Sequence, residues 1–319
     1  HYSEMISEER RPDPRYMALF EDALDRHDAR IAAEIMAIAL RLRADIAEGT
    51  RLAALTLCSL VRAGLPYGVL LHRALSQLGV DSAHFGVSII RDRGLDENAM
   101  AHVRAARPAS SILFVDGWTG KGAIAGELAR SWPGAELVVL ADPSGHASLS
   151  GSHEDWLIPS GLLGANASGL VSRSILNADV VGPGDFHGAI PVPHLADLDV
   201  SRRFVDRITD LFAETMAGAV PAVRDPAQTA RLRADAAACI DAIAERLNIT
   251  NRNRIKPGIA EATRAVLRRR PRLVLLRDDT DPDLAALVHL CRTDGIETDV
   301  SAAATGPYRA ITVIHKVRA

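Results

Sequence analysis

The chain has 319 residues, 48% apolar and 24% charged, with a formal net charge of −3; that is the balance of a globular protein with a real core, not of a disordered or fibrous chain. No apolar run approaches the roughly 20 residues that span a bilayer. Residue 1 is His rather than Met, with no signal-peptide pattern after it, so the natural start and any targeting information are expected upstream; three widely separated cysteines point to a reducing cytoplasm.

Residues 17–48 carry Leu, Ile, Ala and Met at helical spacing among charges, predicting one or two helices. The period then changes. Leu55–Leu60, Phe85–Ile90, Ile112–Val115 and Leu137–Leu140 are short apolar runs bounded by turn residues, with helical patterns over Val69–Leu78, Glu97–Ala105 and Ala123–Arg130 between them. Buried strands alternating with helices predict an α/β fold, a parallel sheet with helices on both faces. Residues 151–200 are rich in Gly, Ser, Pro and His, and their Trp156 and Phe186 argue against disorder. A helix over about Ser201–Ala217 follows. Val220–Gln228, with two prolines, reads as a linker, and another helix ends near Leu247. The last 70 residues give a second, small α/β pattern: helix Ile259–Arg269, strand Leu273–Leu276, helix Leu284–Arg292 and strand Ile311–Ile314. The expected division is residues 1–218, a linker and helix over 219–250, and a small C-terminal α/β domain over 251–319.

Charge is uneven. From Asn251 onward 13 Arg/Lys stand against 8 Asp/Glu, a net of +5 that leaves −8 for residues 1–250. That fits an anionic partner or simply a solvated face. Only three of 37 basic residues are lysines, and Lys121, the one in the first 250 residues, falls in a glycine-rich loop.

In parallel sheets the loops at the carboxyl ends of the strands build the site. Arg62-Ala63-Gly64 follows the first strand, Arg91-Asp92-Arg93-Gly94-Leu95-Asp96 the second, Asp116 to Gly122 the third and Asp142-Pro143-Ser144-Gly145 the fourth. The third loop, Asp116-Gly117-Trp118-Thr119-Gly120-Lys121-Gly122, suits phosphate: glycines let backbone N–H groups approach, Thr119 adds a hydroxyl, and a helix N-terminus follows. Its alternative is a tight strand-to-helix turn with incidental glycines. The spacing fits neither a Walker loop nor G-x-G-x-x-G.

This string resembles the phosphoribosyl-diphosphate loop of type I phosphoribosyltransferases. The resemblance implies such an enzyme, making or splitting an N-glycosidic bond with phosphoribosyl diphosphate or a nucleotide and Mg²⁺. The 5′-phosphate falls to Gly117, Trp118, Thr119, Gly120, Lys121 and Gly122. Ribose hydroxyls and metal fall to Asp116, with Gly117 standing where the family has a second acid. Ser59 to Gly64 resembles the family's pyrophosphate loop, placing Arg62, Ala63 and Gly64 on the diphosphate, and Arg91 and Arg93 occupy the place of its flexible loop. Each arginine has an alternative as a salt-bridge partner. Ser168, Arg173, Asp185 and His187 are candidates for an acceptor pocket.

A closer resemblance is to phosphoribosyltransferase-like proteins of tellurite-resistance and stress gene clusters, some labelled StiP cysteine protease. It rests on His1-Tyr2-Ser3-Glu4-Met5, Ser59 to Gly64, Ser88-Ile89-Ile90-Arg91-Asp92-Arg93-Gly94, Val115 to Ile124, Ser168 to Arg173 and Asp185-Phe186-His187-Gly188. Gly258 to Arg264 and Pro307-Tyr308 resemble the Pelota-type RNA-binding domain, implying RNA as a partner. A cysteine peptidase needs a base beside its thiol. The branch places a Cys after Ile-Pro-Ser, whereas this chain reads Ile158-Pro159-Ser160-Gly161, and Cys58 ends a buried strand. Cys58, Cys239 and Cys291 fit neither a disulfide framework nor a zinc site. The expectation is therefore a cytoplasmic transferase, possible as an oligomer, and not a protease. The rival is a non-catalytic regulatory protein that binds a phosphoribosyl ligand and RNA.

Overall fold

The computed structural model describes residues 9–315; the motif at His1 to Met5 lies outside the described residues. The first helix, α1 (Pro14–Ala47), starts where Asp13 accepts a hydrogen bond from the Tyr16 N–H at 2.8 Å and Pro14 sits in the first turn, where its missing N–H costs nothing. Ile31, Ile35, Ile38, Ala39 and Leu42 put one helical face into the core. Then β1 (Leu55–Val61), α2 (Leu65–Gln77), β2 (Ser82–Ile90), β3 (Gly94–Leu95), α3 (Glu97–Ala106), β4 (Ile112–Val115), α4 (Ala123–Ser131), β5 (Leu137–Ala141) and β6 (Leu149–Ser152) form a six-stranded sheet in the order β3-β2-β1-β4-β5-β6. All its pairs are parallel except β2 with β3.

Side chains alternate across this sheet, and both faces are covered. Leu55, Leu57, Leu113, Val115, Val138 and Leu140 pack with α1 and α2. Their neighbours Cys58, Leu60, Ile112, Phe114, Leu137 and Val139 pack with Met100 and Val103 of α3 and Leu128 of α4. This two-sided burial is why the strands read as continuous apolar runs. Each fully buried side chain of this size contributes about 1.5–3 kcal/mol.

Residues 153–200 are irregular but ordered around buried Trp156, Leu157, Ile158 and Leu162. The helix expected over Ser201–Ala217 is two, α5 (Ser201–Asp210) and α6 (Phe212–Met216). After α7 (Pro226–Arg246), capped by Asp225, come β7 (Ile255–Pro257), α8 (Ile259–Arg268), β8 (Pro271–Leu276), α9 (Ala285–Thr293), β9 (Thr298–Val300), α10 (Ala302–Thr305) and β10 (Ala310–Ile314). Their sheet runs β7-β10-β8-β9. One side of it packs on Ala236, Ile240 and Ile243 of α7. On the other, Ile259, Ala262 and Val266 of α8 and Leu287 and Leu290 of α9 belong to the same core as α1. The expected class is what the chain forms: an α/β fold with a mainly parallel sheet between helices, and a second, smaller sheet at the C-terminal end. No described helix is long and apolar enough to cross a membrane.

Candidate functional site

The loops at the carboxyl ends of β1 and β4 meet the C-terminal module there. The turn after β1 is tight: a Cβ on Gly64 would lie 2.2 Å from the Val115 carbonyl oxygen. Ala63 is half-buried beside it. Arg62 is buried; its guanidinium donates to the Val171 carbonyl and to Glu9 Oε1, both at 2.6 Å. Burial, then the neighbouring Arg268, pushes it down to about 10.

The loop after β4 turns its donors inward. The Thr119 N–H donates to the Ala141 carbonyl at 2.9 Å, and its hydroxyl donates to Asp142 with Ser144 Oγ beside it. An acid in place of Gly117 would need the loop or Tyr67 to shift, because a Cβ there would sit 2.8 Å from the Tyr67 ring. Asp116 accepts from the Gly117 N–H, and burial pushes its carboxyl up to about 7. The module caps the rest: Tyr308 OH donates to the Gly120 carbonyl at 3.1 Å, and Arg264 stacks 4.6 Å over Trp118. Gly122, in the left-handed region at φ 78°, starts α4 and abuts His146.

Lys121 donates to the carbonyls of Arg252 and Ile255. Burial first, then Lys256 and Arg91, pushes its ammonium down to about 7. Lys256 is lowered by burial as well, with Arg91 and Arg269 adding repulsion, while Glu261 acts in the opposite sense on both lysines. Arg91 thus stands in this cluster. Arg93 lies in the turn after β2, its N–H donating to the Ile90 carbonyl.

The four acceptor-pocket candidates separate. Ser168 donates to the Gly164 carbonyl at 2.9 Å, and Arg173 lies within electrostatic reach of Arg62. Asp185 and His187 lie instead against β2 and α3: the Asp185 carbonyl accepts from Asn98, and His187 Nδ1 stands 2.8 Å from Ser88 Oγ. Glu9, Glu261, Arg264 and Asp96 also act electrostatically at these places; Asp96 lies in the loop after the second strand and Glu261 and Arg264 in the Gly258 to Arg264 motif, while nothing local in the sequence marks Glu9. Among the described residues no group of three or more His, Cys, Asp or Glu is placed to hold a metal.

None of the three cysteines shares a hydrogen bond with a histidine among the described residues. Cys58 faces the α3–α4 core, and burial pushes its thiol up to about 12. Cys239 and Cys291 are raised to about 11 in the same way.

A family model described as tellurite-like stress resistance cysteine protease StiP matches residues 1–209, and the PELOTA RNA binding domain model matches residues 234–316. The chain is 41% identical over 333 aligned residues to a protein named cysteine protease StiP from Acinetobacter baylyi (strain ATCC 33305 / BD413 / ADP1), covering 99% of this chain and 85% of that one. Solved structures give weaker likenesses. A hypoxanthine phosphoribosyl transferase of Trypanosoma cruzi aligns with TM-score 0.33 and 14% identity over 53% of this chain and 91% of that chain. An HGPRT-ase of Leishmania tarentolae in complex with GMP aligns with TM-score 0.30 and 17% identity over 38% and 72%. Neither bears on activity.

The expectation of a phosphoribosyltransferase using phosphoribosyl diphosphate and Mg²⁺, and its non-catalytic phosphoribosyl-binding rival, are overturned by the relative that matches nearly the whole chain, which is named a protease. A physical counterpart stands in the loop, where the Thr119 hydroxyl and the Lys121 ammonium, counted on for phosphate, are engaged within the protein. With a family model over residues 1–209 and a relative 41% identical across almost its entire length, the chain belongs to the StiP family.

Proposed function

We propose that this chain is a stress-response protein that recognises structured RNA through its C-terminal module. The observation that carries this is a basic strip. Exposed Arg268, Arg269, Arg270 and Arg272 run on, through the mutual repulsion of Arg269 with Lys256 and of Lys256 with Lys121 and Arg91, to the strand-end loops of the first domain. Arg268 pairs with Glu9 at 3.6 Å, while Arg269, Arg270 and Arg272 beside it concentrate positive charge of the kind that phosphates neutralise. The Pelota match over the same residues supports this reading. Free thiols at all three cysteines support a reducing compartment such as the cytoplasm.

The test is an electrophoretic shift with a hairpin RNA over a salt series. Binding is expected to weaken as salt rises. The triple variant R269A/R270A/R272A is expected to flatten the salt slope by roughly one for each phosphate it leaves without a cation. Absence of binding at low salt would end the reading.

A second reading follows the A. baylyi relative's name, peptide-bond hydrolysis. It is checked by fragment release from unfolded substrate proteins. Loss of that release in C58A, C239A or C291A would assign it to thiol chemistry.

A further inference from the structure

A cavity of about 300 Å³ lies between β2, α3 and the 174–189 segment, with no residue of the loop after β4 in its lining. That is the lower end of the size that holds a small ligand. Its walls are mainly apolar, with Phe85, Val87 and Val103 inside and Phe186, 54% exposed, at the rim. Into it face Ser88 and His187, with Ser88 Oγ 2.8 Å from His187 Nδ1.

The position of this pair is fixed from three sides. Ser88 sits near the carboxyl end of β2, opposite Val61 of β1. Its carbonyl accepts from the Asp96 N–H at 2.9 Å. Asp96 caps α3 through the Ala99 N–H, and its second oxygen accepts from the His187 N–H at 2.6 Å. The loop carrying the histidine is thus tied to the helix that faces the serine. A hydroxyl within hydrogen-bond reach of an imidazole, in a mostly apolar cavity, is the arrangement of an activated nucleophile.

We propose that Ser88 and His187 are the nucleophile and general base of an acyl-hydrolase site that takes esters or amides bearing a compact apolar or aromatic acyl group. Ser88 Oγ bonds to the acyl carbonyl carbon as its proton passes to His187 Nδ1. The carbon–heteroatom bond breaks, and the leaving alcohol or amine takes its electron pair and the proton from His187. Water then attacks the acyl-serine ester, giving its proton to His187. The carboxylic acid departs, and Ser88 recovers its proton. Ser174, also lining the cavity, supplies a hydroxyl donor for the oxyanion. Asp96 is a positioning residue. Burial holds His187 below the usual histidine range, so the base is neutral at pH 7; Asp96 opposes that shift, and His102 is the other titratable group lining the cavity.

The inference deepens the hydrolytic reading and rests on it for the kind of bond cleaved. The full chain is treated with a fluorophosphonate probe, mapped by mass spectrometry, and assayed on p-nitrophenyl esters of increasing acyl size. Expected are an adduct on Ser88 and turnover that falls about 10²–10⁴-fold in S88A and in H187Q. Both variants should keep the wild-type melting temperature within a few degrees. In D96N the acid limb of the rate profile is expected to move to lower pH. An adduct elsewhere, no adduct, or turnover untouched by S88A overturns the site. Peptide hydrolysis that stops with iodoacetamide while Ser88 stays unlabelled overturns the site and leaves the hydrolytic reading standing. Absence of label together with absence of all turnover overturns both.

Discussion

Two buried aspartates hold the C-terminal module to the first domain, and they respond to pH in opposite senses. Asp283 accepts from His27 at 2.7 Å, Arg26 at 2.6 Å, and the Leu157 N–H and Arg309 at 3.1 Å. Burial alone would raise its carboxyl, but the His27 bond, the Leu157 N–H and the Arg26 pair outweigh it and hold it well below 3.8. Its contribution is therefore present above pH 3.8 and is lost only as pH falls through the lowered value. Removing one member of a buried ionic cluster costs about 3–5 kcal/mol; Asp283→Ala is expected to lower the urea midpoint accordingly at pH 7. Asp155 accepts from the Ile259 and Arg309 N–H groups at 3.0 and 2.7 Å, yet burial pushes it up to about 6. Its contribution is complete below pH 3.8 and is lost as pH rises through about 6. Asp155→Asn should flatten wild-type stability over that window, as urea titrations at a pH series will show.

At the scale of elements, α8 does three jobs at once. Its apolar side enters the common core, its Arg264 stacks on Trp118, and its Glu261 lies 3.2 Å from where a Cβ on Gly120 would be. Ile259→Ala, at a position 1% exposed, is expected to cost about 2–5 kcal/mol. It should also loosen the cover on the loop after β4, measurable as faster amide exchange at Gly120 and Lys121.

The main strands and helices were legible because two-sided burial writes long apolar runs. The strands β7 and β9 were not: Ile255-Lys256-Pro257 and Thr298-Asp299-Val300 are short edge strands with no such run. At the strand ends the residue types were legible but their directions were not. Arg62 is open in sequence to an anion or to a salt bridge, and its partner is Glu9, 53 positions earlier. Lys121 meets carbonyls more than 130 residues later. Ser88 and His187, 99 residues apart, become neighbours only once the 174–189 segment folds back on β2.

As a whole, the molecule has two sheets but one principal core, since α8 and α9 share it with α1 and the first sheet. Val220–Gln228 reads as a linker in sequence, and a shared core couples the stabilities of the parts on either side of it. The full chain is expected to melt in one calorimetric transition, and cleavage in the 218–225 segment to destabilise both halves; two independent transitions would contradict this. The same sharing has a thermodynamic corollary. Helix α8 walls the strand-end loops on one side and ends in the arginine run on the other, so any ligand that shifts this helix from one face alters affinity at the opposite face by an equal factor in return. RNA held on the arginines is therefore expected to change the cover that α8 places on the loop after β4, which amide exchange at Gly120 and Lys121 with and without RNA will measure.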